Sequence, residues 1–272
     1  MRNRGFTLVE LAVVLIILSV IGGMFMSSIF TMMDSQRTST TRAKLVAIDA
    51  ALVSFVAVNK RLPCPADGRL QSGTETSPCQ NQHGVVPWVA LGLSAQDIED
   101  GWGNRITYRV DTRLTTANAM DMSACDPAGT GTPAVAPPNA TCASSTGTCS
   151  AAALGNCVPP QSFLSGKGIQ VQNPGGQILM NPAANPATGA AYVLISHGEN
   201  QGGAYSSSGT LMGPVKAGLG TSETHNSAAL SQAFYIDGDQ IFADGANRFD
   251  DFVVRPSLLA VIQRAHLGPR SH

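Results

Sequence analysis

The chain has 272 residues, and 17 basic against 18 acidic side chains leave it at a formal net charge of −1. That balance excludes the basic footprint of a general nucleic-acid binder, and the length allows one sizeable domain, or one domain carrying an insertion. The charged share is only 13%, which directs attention to where the apolar residues collect.

They collect first at the amino terminus, MRNRGFTLVELAVVLIILSV, where Leu11 to Met33 contains no charged residue. At about 1.5 Å per helical residue this run crosses a hydrocarbon core of about 30 Å, and the pattern predicts one membrane-spanning helix. Glu10 interrupts its start. A charge at the bilayer centre costs roughly 2.5 to 3.5 kcal/mol, so Glu10 either sits solvated at the headgroup level or has a cationic partner. A secretory signal would have a shorter apolar core closed by a small-residue cleavage site. Here no A-x-A site and no lipobox cysteine follows the run. Gly22-Gly23 and Ser27-Ser28 read as small-residue packing positions, with the paired glycines also a place where the helix can stretch.

Beyond Met33 the apolar residues Leu45, Ile48, Leu52, Phe55 and Val56 recur at helical spacing, with Arg42, Lys44, Asp49 and Ser54 between them. The helix is expected to continue outward and to stop near Asn59-Lys60-Arg61, because Leu62 precedes Pro63. Short strands are then expected at Arg105 to Val110, Gly168 to Gln172, Gln177 to Met180, Ala191 to Ser196, Phe234 to Ile236, Gln240 to Phe242 and Phe252 to Val254. Asp237-Gly238 reads as a hairpin turn and Leu258 to Arg264 as a short helix. The sum is an α+β chain, a long amino-terminal helix packed on an antiparallel sheet.

Six cysteines, Cys64, Cys79, Cys125, Cys142, Cys149 and Cys157, lie beyond the apolar run, and no two form a C-x-x-C pair. An even set in an exported segment reads as disulfides rather than as a zinc site. Fifteen pairings are open. A Cys64–Cys79 bridge fits a loop of about 15 residues, with Cys142–Cys149 and Cys125–Cys157 as a working assignment for the rest. Four of the six fall in residues 123–160, a stretch rich in Ala, Thr, Gly, Ser and Pro. Such a segment has little to bury, so crosslinks must order it, and it is expected to form a disulfide-rich insert. Ser196-His197 with Glu199 imitates a catalytic triad in text, but adjacent strand residues point to opposite faces, and no catalytic site is expected.

Arg2 and Arg4, then Gly5, then Phe6-Thr7-Leu8-Val9-Glu10, resemble the leader of type IV prepilins and type II secretion pseudopilins. The resemblance covers roughly the first thirty residues. It implies cleavage by a prepilin peptidase after Gly5, methylation of the new amino terminus at Phe6, and pairing of Glu10 with the terminal amine of a neighbouring subunit. It divides the chain into a leader 1–5, a membrane and assembly half 6–33, an outer helical half 34–61 and a head 62–272. The implied function is a non-enzymatic minor pilin or pseudopilin of a type IV pilus or type II secretion filament. Its implied partners are the peptidase, other subunits, an inner-membrane assembly platform and lipid, with no nucleic acid, and its head lies in the periplasm. A pilin-derived adhesin acting through the insert is the alternative. Many type IV pilins carry a proline in the membrane segment, and this chain has none there.

Two stretches extend the resemblance into the head. Asp100-Gly101-Trp102-Gly103-Asn104-Arg105-Ile106-Thr107-Tyr108 is similar to a signature of the major type II pseudopilin, and Tyr192 to Gly203 is similar to that protein's strand and calcium loop. Trp102 beside two glycines reads as a large side chain buried at a tight turn. The implied metal is calcium at a weak site near Glu199 and Asn200. The aspartates Asp237, Asp239, Asp244, Asp250 and Asp251 form a second oxygen-rich region without EF-hand spacing.

Overall fold

The computed structural model describes residues 8–76, 78–79, 81–122, 163–213, 220–227, 232–242 and 245–268, and within helix α1 the side chains of 21–31 are left out. The leader, the whole of the insert 123–160, and with it Cys125, Cys142, Cys149 and Cys157, therefore lie outside the described residues. Of the expected membrane span, the backbone is described throughout and the side chains of 21–31 are not. Among the described residues no helix is long and apolar enough to cross a membrane.

Helix α1 runs Leu8–Asn59, 52 residues, which at 1.5 Å each is about 78 Å. No proline interrupts it. It ends as the Pro63 argument requires: Lys60 takes a left-handed φ of 57°, a helix-terminating conformation. Lys60 holds that cap by pairing with Asp121 at 2.5 Å, while its carbonyl accepts from the Met120 N–H at 2.9 Å. The outer half buries Thr41, Leu45, Ile48, Leu52, Val53 and Val56. Phe55, expected in that stripe, is only half-buried, and the Arg61 guanidinium lies over its ring, 5.2 Å from the centroid.

The central sheet contains β1 (His83–Val85), β3 (Thr107–Val110), β6 (Tyr192–Ser196) and β9 (Phe252–Val254), in the order β1-β3-β6-β9. Every pairing in it is antiparallel. Strand alternation sends Tyr108, Val110, Tyr192 and Leu194 to the core shared with α1, while Val193 and Ile195 face a second small core. Helix α3 (Leu258–Arg264), capped by the Ser257 hydroxyl accepting from the Ala260 N–H, closes the first core beside α1. Arg264 and the Tyr192 hydroxyl both reach Asp49 on α1, at 2.5 and 2.7 Å, and pin helix, sheet and α3 together.

The second core is covered by a sheet in the order β5-β4-β8, from β5 (Ile178–Met180), β4 (Gln170–Gln172) and β8 (Phe234–Ile236). Here the antiparallel expectation is corrected, because β4 and β8 run parallel. Asp237-Gly238 consequently turns no hairpin: the Asp237 N–H continues the ladder to the Gln172 carbonyl, and its carboxylate pairs with Arg255 at 2.5 Å. Gln240 to Phe242 forms no strand either. Ile241 makes one isolated bridge to Phe249, and Ile241 and Phe242 stay exposed, so no buried face recruits the segment into a sheet. The remaining elements are β2 (Asn104–Arg105), paired with β7 (Tyr205–Ser206), and helix α2 (Thr221–Asn226).

Cys64 and Cys79 form a disulfide. It closes a loop in which Arg61 grips Glu75 through two bonds of 2.9 and 2.7 Å, and Glu75 also accepts from the Cys64 N–H. Replacing both cysteines with serine is expected to cost about 3 kcal/mol, since a 15-residue loop regains its freedom in the unfolded chain; urea melts of the two proteins measure it. The Arg61 hydrogen bond is the largest of the effects that hold Glu75 below its ordinary value of 4.5. Its folded pKa is depressed, so the stability it contributes is present above pH 4.5 and is lost as pH falls through the folded value. Glu75→Gln is expected to lower the melting midpoint at pH 6 and to converge with the parent in acid.

Candidate functional site

Glu10 stands in the first turn of α1. Around and after it Leu8, Val9, Leu11, Val13, Val14, Leu15, Ile16, Ile17, Leu18 and Val20 are all exposed. At about 100° per residue those positions cover every face of the helix, and a helix apolar all round needs lipid or neighbouring helices about it. The outer half of the same helix buries an apolar stripe on the side where the head sits. α1 thus changes from a one-environment to a two-faced helix along its length.

The two head motifs meet in space. β3 and β6 pair with Tyr108 opposite Leu194 and Thr107 opposite Ile195, which sets Asp100 beneath the end of β6. Asp100 is buried, and its two oxygens accept from the Trp102 N–H at 2.9 Å, the Asn104 N–H at 3.0 Å and the Ser196 hydroxyl at 2.7 Å. Burial raises the Asp100 carboxyl above its ordinary value, and those donors pull it back. The same turn docks on α1: the Gly101 N–H donates to the Thr41 hydroxyl at 2.9 Å, and a side chain at Gly101 would strike the Arg37 backbone. Trp102 is half-buried rather than enclosed, tilted against Phe252 with centroids 5.8 Å apart. This junction fastens the head to the helix near Thr41, as Asp49 does further along it.

Ser196 and His197 go separate ways. Ser196 serves Asp100, while His197, fully buried, shares a hydrogen bond between Nε2 and the Thr107 hydroxyl at 2.9 Å. Burial, then the charge of Arg109, lowers His197 to about 3, so the imidazole is neutral near pH 7. Ser196 is the last residue of β6 and His197 follows it, so the two side chains serve separate hydrogen bonds.

Residues 1–26 match the prokaryotic N-terminal methylation motif. The amino-terminal segment is that of a type IV pilin-like or pseudopilin chain. No curated protein and no solved structure matches the chain, so the head is read from its own geometry. Glu199 lies at the surface, its carboxylate 3.1 Å from Arg248. Asn200 turns inward, its side-chain amide 2.6 Å from Glu223 and its N–H 3.0 Å from Asp250. The two residues expected to share a calcium site thus face different surroundings. Glu223, on α2, escaped the sequence reading, since a lone acid in Thr-Ser-Glu-Thr-His-Asn shows no ligand spacing.

Proposed function

We propose that this chain is a non-enzymatic minor pilin or pseudopilin, a subunit of a type IV pilus or type II secretion filament. The observation that carries the reading is the position of Gly5-Phe6 and Glu10 within the matched segment 1–26, at the head of a helix that is apolar on every side. Cleavage after Gly5 by a prepilin peptidase releases residues 1–5 and leaves a charged, methylated amine on Phe6. Glu10 is then the fifth residue of the mature chain, and it pairs with the Phe6 amine of a neighbouring subunit. In a low-dielectric bundle each of those charges is expensive alone, so the pairing fixes subunit register.

The proposed division is a membrane and assembly half 6–33, an outer helical half 34–61 and a head 62–272 facing the periplasm from the inner membrane. A Cys64–Cys79 bridge suits an oxidising compartment of that kind. Neighbouring subunits, an assembly platform in the inner membrane and lipid are the partners this arrangement requires. Co-expression with a prepilin peptidase tests it: the parent chain is expected to shorten by the leader, and Gly5→Val is expected to remain full length. A parent chain left uncut by an active peptidase would contradict the reading.

A further inference from the structure

Away from the amino terminus, the head encloses a positive charge that no carboxylate balances. Arg109, on β3, is fully buried. Burial lowers its pKa to about 10, so the guanidinium still carries its charge near pH 7. Its Nη2 donates to the Ser227 carbonyl at 2.5 Å, and its carbon lies over the Tyr235 ring, 5.1 Å from the centroid. Nε and Nη1 are buried as well and have no hydrogen-bond partner. Among the described residues no carboxylate pairs with Arg109. Asp111, two residues further on, is taken by the Arg113 side chain at 2.6 Å and the Gly168 N–H at 2.8 Å. Asp251 accepts from the Asn226 amide at 2.7 Å and faces His197 Nδ1 at 3.8 Å.

A second, independent observation comes from the neighbouring strand. His83 on β1 stands directly opposite Arg109. Two residues along, Val85 exchanges both its backbone hydrogen bonds with Ala66 on the outer side of β1, at 3.0 Å each. The two-residue period of a strand turns the His83 N–H and carbonyl outward in the same way. His83 and Arg109 are therefore a non-hydrogen-bonded pair, the kind in which facing side chains come closest. The His83 Nδ1 is buried, and it too has no hydrogen-bond partner. The same histidine lines a polar cleft of about 170 Å³ together with Tyr205, Asn81, Thr76, Asp67 and Arg69. Asp67 turns one oxygen there to the Arg69 N–H, at 2.9 Å. The cleft connects the histidine beside Arg109 with solvent.

We propose that Arg109 and His83 hold a single-atom anion of the halide class, such as chloride, between β1 and the second core. Three nitrogens there lack an acceptor, Nε and Nη1 of Arg109 and Nδ1 of His83. The guanidinium always donates, and the imidazole donates in the tautomer that carries its hydrogen on Nδ1. A lone charge taken out of water is costly, and an arginine does not shed its proton to escape that cost. Water would satisfy the donors without supplying a counter-charge; an anion does both. The surroundings favour a small one. Tyr235 covers a face of the guanidinium, and Val193, opposite Arg109 on β6, belongs to the apolar second core. An anion of one atom accepts from any direction, whereas phosphate brings more oxygens than these donors serve. The inference stands apart from the filament reading, because it concerns only the head.

The test uses the full chain in detergent, melted near pH 7 in sodium chloride or in sodium gluconate of equal ionic strength, gluconate being too bulky for a buried site. Chloride at about 100 mM, roughly a hundredfold above a 1 mM affinity, is expected to raise the midpoint by about 5 to 10 °C over gluconate. Arg109→Met, which keeps much of the length and removes the charge, is expected to lose that difference. His83→Phe is expected to weaken chloride binding about tenfold, as the loss of one donor to a charged partner would. The chlorine-35 resonance line in the presence of the parent chain, which needs no variant to fold, is expected to broaden and to sharpen again when bromide displaces chloride. Equal midpoints in the two salts with no excess broadening mean that water alone serves these nitrogens, and they overturn the proposal. A chloride response that persists in Arg109→Met, or that His83→Phe leaves untouched, overturns it too.

Discussion

Glu10→Ala is expected to leave the chain folded and in the membrane and to remove it from filaments. The substitution takes away an acid from the first turn of α1, far along the helix from the face that begins at Thr41 and carries the head. The head's melting midpoint should therefore not move. On the proposed pairing, the neighbour's Phe6 ammonium would then enter a low-dielectric bundle with no carboxylate opposite. Removing one member of a buried pair costs about 3 to 5 kcal/mol, and every 1.4 kcal/mol is tenfold, so incorporation is expected to fall by roughly a hundredfold or more. Sheared filament fractions, compared with total membrane by immunoblot, measure it. Glu10→Asp, which keeps the charge on a shorter arm, is expected to recover part of the loss. Incorporation of Glu10→Ala at the parent's level would refute the pairing.

Asp100→Ala is expected to produce the largest loss of head stability. Three donors, the Trp102 N–H, the Asn104 N–H and the Ser196 hydroxyl, would lose their acceptor in a buried place. Hydrogen bonds to a charged group are worth about 1.5 to 3 kcal/mol each, and an orphaned buried donor carries its desolvation penalty in addition. The raised carboxyl pKa offsets part of this, since burial already disfavours the charge. A net loss of about 3 kcal/mol is expected, a fall of roughly 6 to 12 °C in melting midpoint for a domain of this size. Asp100→Asn keeps one acceptor and should fall less. The Gly101 contact to Thr41 should weaken with it, and hydrogen exchange at Gly101 reads that directly.

Much of this architecture is legible in the sequence, where side-chain pattern and burial agree. α1 ends at Asn59 because Pro63 and the left-handed Lys60 forbid more helix, and β8, β9 and α3 fall at the residues their apolar content marks. Elements without such a pattern were not legible. β1 is His83-Gly84-Val85, with a glycine at its centre, and α2 is Thr-Ser-Glu-Thr-His-Asn, which has no apolar stripe and instead turns Glu223 and Asn226 inward. The parallel pairing of β4 with β8 is also silent in the sequence, since strands of three residues show content but not direction.

The candidate sites divide the same way. Gly5, Phe6 and Glu10 stand close together in the chain, within the segment that resembles a prepilin leader and matches the methylation motif. The buried acids Glu223 and Asp250 stand far apart in the chain and are brought together by α2 and the turn into β9. The resemblance to a calcium loop pointed instead to Glu199, which the fold leaves at the surface beside Arg248. Asn200, its neighbour, is the residue the fold turns toward the acids.

The most direct measurement is the intact mass and amino-terminal sequence of the chain extracted from membranes of cells that contain a prepilin peptidase. A chain that begins at N-methylated Phe6 is the expected result, with Glu10 as its fifth residue. A chain that still begins at Met1, or one cut beyond Ser28, would contradict it and reduce Glu10 to an acid at the edge of an anchor.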